Sequence, residues 1–94
     1  MSDNLTNKAQ NILFAKEENQ LNWNDILEKS KKTFGTDTYE SWIKNVNLKK
    51  EFNDYVILSV PTRFVRDWIV SRYADKLLDL IKVFKKSIQR IEFL

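Results

Sequence analysis

The stretch Val60-Pro61-Thr62-Arg63-Phe64-Val65-Arg66-Asp67-Trp68 gathers two guanidinium groups, two aromatic rings and a carboxylate into nine positions. Such groups offer bidentate hydrogen bonds to carboxylates or phosphates, and flat apolar area for stacking or for filling a pocket. Covalent chemistry does not accompany them. The 94 residues include neither cysteine nor histidine, which removes the best side-chain nucleophile, the commonest general base and the usual zinc ligands. Oxygen-only metal sites and carboxylate pairs remain formally open to the Asp and Glu residues, but nothing in their spacing suggests either. No Gly-x-x-x-x-Gly-Lys-Ser/Thr loop is present to cradle a nucleotide. The side chains therefore point to contact, with no catalytic residue, metal ligand or cofactor assigned.

The elements that must position these groups are legible from Asn22 onward. Asn22 caps a helix whose first turn holds Asp25, where an acid complements the helix dipole. Trp23, Ile26, Leu27, Ser30 and Phe34 recur at helical spacing, and Gly35 ends the run. Asp37-Thr38-Tyr39-Glu40 reads as a capping box that opens a shorter second helix with Tyr39, Trp42, Ile43 and Val46 inward. The period then changes. Val46-Asn47-Leu48, the polar turn Lys49 to Asp54 and the β-branched run Tyr55-Val56-Ile57-Leu58-Ser59-Val60 predict a β-hairpin, closed at Pro61. Thr62 caps a long third helix running to about Phe84, and Ile88, Ile91 and Phe93 predict a last strand. The order is α-α-β-β-α-β, an α+β domain with a three-stranded sheet packed against helices.

On the third helix, Val65, Ile69, Tyr73 and Leu80 share one stripe, and Leu77, Ile81 and Phe84 widen it beyond Ala74. Phe64 falls about 140° from the centre of the early stripe at 100° per residue. A large aromatic off the core face at a helix start is a candidate contact residue; packing on the preceding loop or against Trp68 is the plainer alternative. Trp68, between Phe64 and the stripe, reads as mainly structural. Arg63, Phe64 and Arg66 are left facing outward.

Taken in order, Trp23…Leu27, Tyr39-Glu40-Ser41-Trp42-Ile43, and Val60-Pro61-Thr62-Arg63-Phe64-Val65-Arg66-Asp67-Trp68-Ile69 with Tyr73 resemble the N-terminal domain (domain I) of DnaA, the bacterial replication initiator. The resemblance covers about residues 22–94. It implies a KH-like fold and a protein-docking role at the origin: self-association of initiator protomers, recruitment of the replicative helicase DnaB, and binding of initiator regulators. It further implies that Trp23, with Leu27 one turn on, mediates self-association, and that Phe64, beside Arg63, meets helicase and regulators. An acidic helicase contact of the family falls here on Thr38, with Asp37 and Glu40 flanking it. This chain stops where the family's linker, ATPase domain and DNA reader would begin, so it reads as an excised domain.

Several of these residues carry a second reading. Trp23 sits on an apolar helix face, where a tryptophan is usually core. Lys29, Lys31, Lys32, Lys44, Lys49 and Lys50 invite a nucleic-acid role, but a net charge of +3 is modest and lysine runs are usually solvated faces. A KH clamp on RNA needs Gly-x-x-Gly, and Gly35 is the sole glycine. Weak single-stranded DNA contact through Arg63, Arg66 and stacking on Phe64 stays open as the alternative function. Residues 1–21 read as a flexible polar leader, the alternative being a short helix around Ile12-Leu13-Phe14. The start lacks a basic n-region and no apolar run reaches membrane-span length, so the expected location is cytoplasmic and no membrane contact is expected.

Overall fold

The computed structural model describes residues 20–94; the leader predicted for residues 1–21 lies outside them as far as residue 19. Helix α1 spans Trp23–Phe34, and α2 spans Thr36–Thr38 with a π-helical continuation at Tyr39–Ile43. Strands β1 (Asn47–Glu51) and β2 (Tyr55–Ser59) follow, then α3 (Arg63–Arg72), α4 (Ala74–Phe84) and β3 (Arg90–Phe93). The α+β class and the element order agree with the sequence reading.

Local chemistry accounts for most boundaries. Asn22 accepts a hydrogen bond from the Asp25 N–H, and Thr62 accepts one from the Val65 N–H, so both predicted N-caps form. Gly35 adopts φ 85° and ψ 158°, a conformation open essentially to glycine. Its N–H donates to the Lys31 carbonyl while its own carbonyl accepts from the Tyr39 N–H. One residue thus ends α1 and starts α2. The expected capping box at Asp37 does not form, because the helix has already begun at Thr36 on the Gly35 carbonyl. Asp37 lies instead within the first turn.

The sheet order is β1-β2-β3, with β1 antiparallel and β3 parallel to β2. β1 runs through Glu51, so the hairpin turn is shorter than the expected Lys49–Asp54, and a bulge interrupts the register between Leu48 and Lys50. Val56 and Leu58 of the central strand are fully buried. Their β3 partners Ile91 and Phe93 pack on the same core, with Ile26, Val46, Ile69, Leu77, Leu80, Ile81 and Ile88. A parallel β2–β3 pair requires a crossover, and α3 and α4 supply it. Leu21 also packs on this core, and its N–H donates to Glu51 Oε1 at 2.9 Å. The second Glu51 oxygen meets Lys85 Nζ at 2.8 Å, which fastens the domain entry, the hairpin and the end of α4 together.

The predicted single third helix is two. Tyr73, at φ −123° and ψ −7°, breaks it, yet its N–H still donates to Ile69 and its carbonyl accepts from Leu77. The Tyr73 ring packs edge-on against Phe34, 5.7 Å between centroids. After the break α4 buries Leu77, Leu80 and Ile81. Phe84, expected inward, is instead 41% exposed. It sits on the last turn of α4, beyond the apolar floor, in a groove lined by Asp25, Glu28, Lys29 and Lys32 of α1.

Candidate functional site: an aromatic ridge and the start of the first helix

Phe64, Trp68 and Arg72 lie at successive four-residue steps, so α3 places them on one edge of itself. The second helix brings Trp42 to that edge. Its ring is 6.0 Å from Phe64 and stacks on Trp68 at 4.8 Å with only 13° between planes. Phe64 and Trp68 are 6.2 Å apart, and the Arg72 guanidinium carbon lies 4.1 Å from the Trp68 centroid. Phe64 is nevertheless 65% exposed. Phe64 therefore faces solvent and at the same time leans on Trp68 one turn later.

The delivery of Trp42 depends on a feature that periodicity did not predict. Lys44 donates to the Tyr39 carbonyl, an i→i+5 bond, and the segment Tyr39–Ile43 is π-helical. One extra residue in the turn keeps Tyr39, Ile43 and Val46 in the core while Trp42 reaches α3. Trp42 read from sequence as a core residue and is half-buried. Trp68, read as mainly structural, is half-buried too, and its enclosed indole N–H has no hydrogen-bond partner among the described residues. The even 64-68-72 spacing was the available signal for the ridge; for the π segment the sequence carries none that we can identify.

The remaining candidates fall in three places. Arg63 is exposed, and Arg66 reaches Asp67 at 3.3 Å; both line a shallow depression with Val60, Pro61, Thr62 and Leu94. Asp37, Thr38 and Glu40 lie on the second helix, with Asp37 and Glu40 exposed and Thr38 half-buried. Glu40 is engaged by Lys44 at 2.9 Å; this hydrogen bond, then the carboxylate charge, holds the Lys44 ammonium above the ordinary lysine range. Exposed pairs of this i,i+4 kind separate at small cost, so Glu40 is open to a partner. Glu28 raises Lys31 in the same manner.

Trp23 and Leu27 are both half-buried at the start of α1. The Trp23 indole N–H donates to the Val46 carbonyl at 2.8 Å, across 23 residues of chain. Val46 is fully buried and its own N–H donates to Ile43. Trp23 thus ties α1 to the join between the second helix and β1, while leaving part of its ring at the surface. Among the described residues, no group of three or more acidic side chains is placed to hold a metal ion, and no helix is long and apolar enough to cross a membrane.

Residues 20–83 match the model of the DnaA N-terminal domain. The chain is 33% identical over 89 residues to the chromosomal replication initiator protein DnaA of Rickettsia bellii (strain OSU 85-389), covering 94% of this chain and 19% of that protein. To the protein of the same name from Rickettsia canadensis (strain McKiel) it is 35% identical over 86 residues, 90% of this chain and 19% of the relative. The chain spans about a fifth of the length of these relatives. Because the family match runs from the entry of α1 almost to the end of α4, taking in both tryptophan-bearing surfaces, the chain belongs to the DnaA N-terminal domain family.

Proposed function

We propose that this domain is the protein-docking module of a bacterial replication initiator. The Phe64 ridge receives the replicative helicase DnaB or an initiator regulator, and the Trp23–Leu27 face brings initiator protomers together. One observation carries the first part: Phe64 is 65% exposed yet leans against the stacked pair of Trp42 and Trp68. A ring already fixed by neighbours loses little conformational freedom on binding, which is the character of an interface anchor. Arg63 on the adjoining turn, and Asp37 and Glu40 on the second helix, supply charges of both signs for the rim. Thr38 stands at the family's acidic contact but has no charge, so Asp37 or Glu40 provides it.

The test is direct binding of the 94-residue chain to the cognate helicase, measured by calorimetry for the wild type and for Phe64→Ala. Loss of an exposed aromatic anchor is expected to weaken binding by roughly thirtyfold or more, with an unchanged circular dichroism spectrum. Undiminished helicase binding by the variant would remove Phe64 from the site.

A second reading rests on Arg63 and Arg66 sharing one depression beside Phe64: weak contact with single-stranded DNA. Arg66 is already turned toward Asp67, which lowers the charge on offer. Binding to an oligonucleotide at physiological salt, with its salt slope, separates the two readings.

A further inference from the structure

The two edges of the sheet are unlike. β1 is interrupted by its bulge and carries Lys49 and Lys50, both exposed, which are ordinary devices for keeping an edge unpaired. β3 has neither bulge nor proline, and among the described residues no strand pairs with its outer side. The Leu94 N–H donates to the Leu58 carbonyl. By the two-residue alternation of a strand, the peptide groups of Arg90 and Glu92 also face β2, which leaves those of Ile91 and Phe93 at the free edge. Beside that edge runs a groove whose apolar lining, Val70, Ala74, Leu78, Ile91 and Phe93, is joined by the charged residues Asp75 and Arg90, and in which Val70 is 53% exposed.

We infer that β3 is a second self-association edge, pairing antiparallel with β3 of another copy about a two-fold axis at Ile91. This surface is separate from Trp23 and Leu27 and does not rest on their proposed role. The side-chain pattern selects the occupant. In an antiparallel pair centred on Ile91, Arg90 stands opposite Glu92 of the second copy, and Glu92 opposite its Arg90. Both lie on the sheet face away from the core, where the monomer already joins them at 2.8 Å. The strand is therefore complementary in charge to itself, at the cross-strand positions whose side chains approach closely. Ile91 meets its own symmetry mate over the apolar groove, and the Ile91 peptide exchanges two hydrogen bonds with its counterpart. The result is a sheet continuous through both copies.

Amide hydrogen exchange of the 94-residue chain, compared between dilute and concentrated samples, reads this edge and no other. The Ile91 amide is expected to exchange several-fold more slowly in the concentrated wild type. Glu92→Arg places arginines opposite arginines, and Arg90→Glu places acids opposite acids. Each variant alone should lose the protection, and association should weaken by roughly tenfold. An equal mixture of the two variants restores both cross-strand pairs and should regain it. Exchange at Ile91 that is independent of concentration in the wild type overturns the inference. So does protection retained by Glu92→Arg alone, or a mixture that regains nothing. Association that persists through the Trp23–Leu27 face leaves the Ile91 amide unchanged, so the two surfaces are told apart.

Discussion

Two tryptophans of this domain, Trp23 and Trp68, are similar in burial and opposite in commitment. Trp23 donates its indole N–H to a buried backbone carbonyl 23 residues away. Trp68 encloses the same group with no acceptor among the described residues and is held by stacking on Trp42 and by Arg72 above its ring. A directional bond to the main chain fixes an element, whereas stacked faces hold a ring while leaving it able to shift and take a further neighbour. The start of α1 is therefore built first as a joint of the fold. The ridge around Phe64 is built as a surface.

The sharpest test of that contrast is Trp23→Ala. It removes a half-buried ring and leaves the Val46 carbonyl unpaired in the core, and together these should cost about 3 kcal/mol in urea unfolding. Any loss of self-association in this variant would be mixed with loss of fold, so it cannot report on the interface by itself. Leu27→Ala is the cleaner probe of the proposed self-association, because Leu27 makes no such bond. At the ridge the weighting reverses. Phe64→Ala should shift stability by no more than about 1 kcal/mol, since the ring is mostly solvated, while weakening the proposed helicase binding by the roughly thirtyfold given above. A larger stability loss there would make Phe64 a structural residue in the manner of Trp23.

Gly35 joins the two regions, because it sets α1, which carries Trp23, against the helix that carries Trp42. A Cβ at this position would meet nothing within 4 Å, so Gly35→Ala isolates the backbone conformation from any clash. The expected cost is about 1–2 kcal/mol, measured as a lowered unfolding midpoint. A neutral result would mean that the second helix tolerates another approach to α1, and that Trp42 is placed by its stacking partner alone.

Local rules made much of this arrangement legible in the sequence. The Asn22 and Thr62 caps, the Gly35 stop, the hairpin and the final strand each follow from backbone chemistry within a few residues. Phe64 was separable from the core by angle alone. What was not legible depends on contacts between distant segments. The π turn at Tyr39–Ile43 lets Trp42 reach Trp68, and neither periodicity nor capping announces it. The break at Tyr73 comes where the ring packs on Phe34, and it carries Phe84 past the core. The pairing of Trp23 with Val46 requires knowing where the second helix ends. The candidate site residues were thus visible by type and spacing, but their grouping was not.

The smallest expected effect is also the most discriminating. Trp68→Phe keeps an aromatic face for Trp42 and Arg72 and deletes an enclosed N–H that has no partner among the described residues. Loss of indole area destabilises, while removal of the unpaired donor offsets it, so the net change should lie within about 0.5–1 kcal/mol. The equivalent Trp23→Phe exchange deletes a donor that is used and strands the Val46 carbonyl, so it should cost about 1–2 kcal/mol more than the exchange at Trp68. Measured side by side in urea, the two substitutions make the same chemical change at two half-buried rings, one whose indole nitrogen has a partner and one whose nitrogen has none among the described residues. Equal costs would show that the Trp68 N–H is satisfied in solution, by a bound water or a shifted ring. The ridge would then be as firmly fixed as the joint at Trp23, and the proposed division between them would fail.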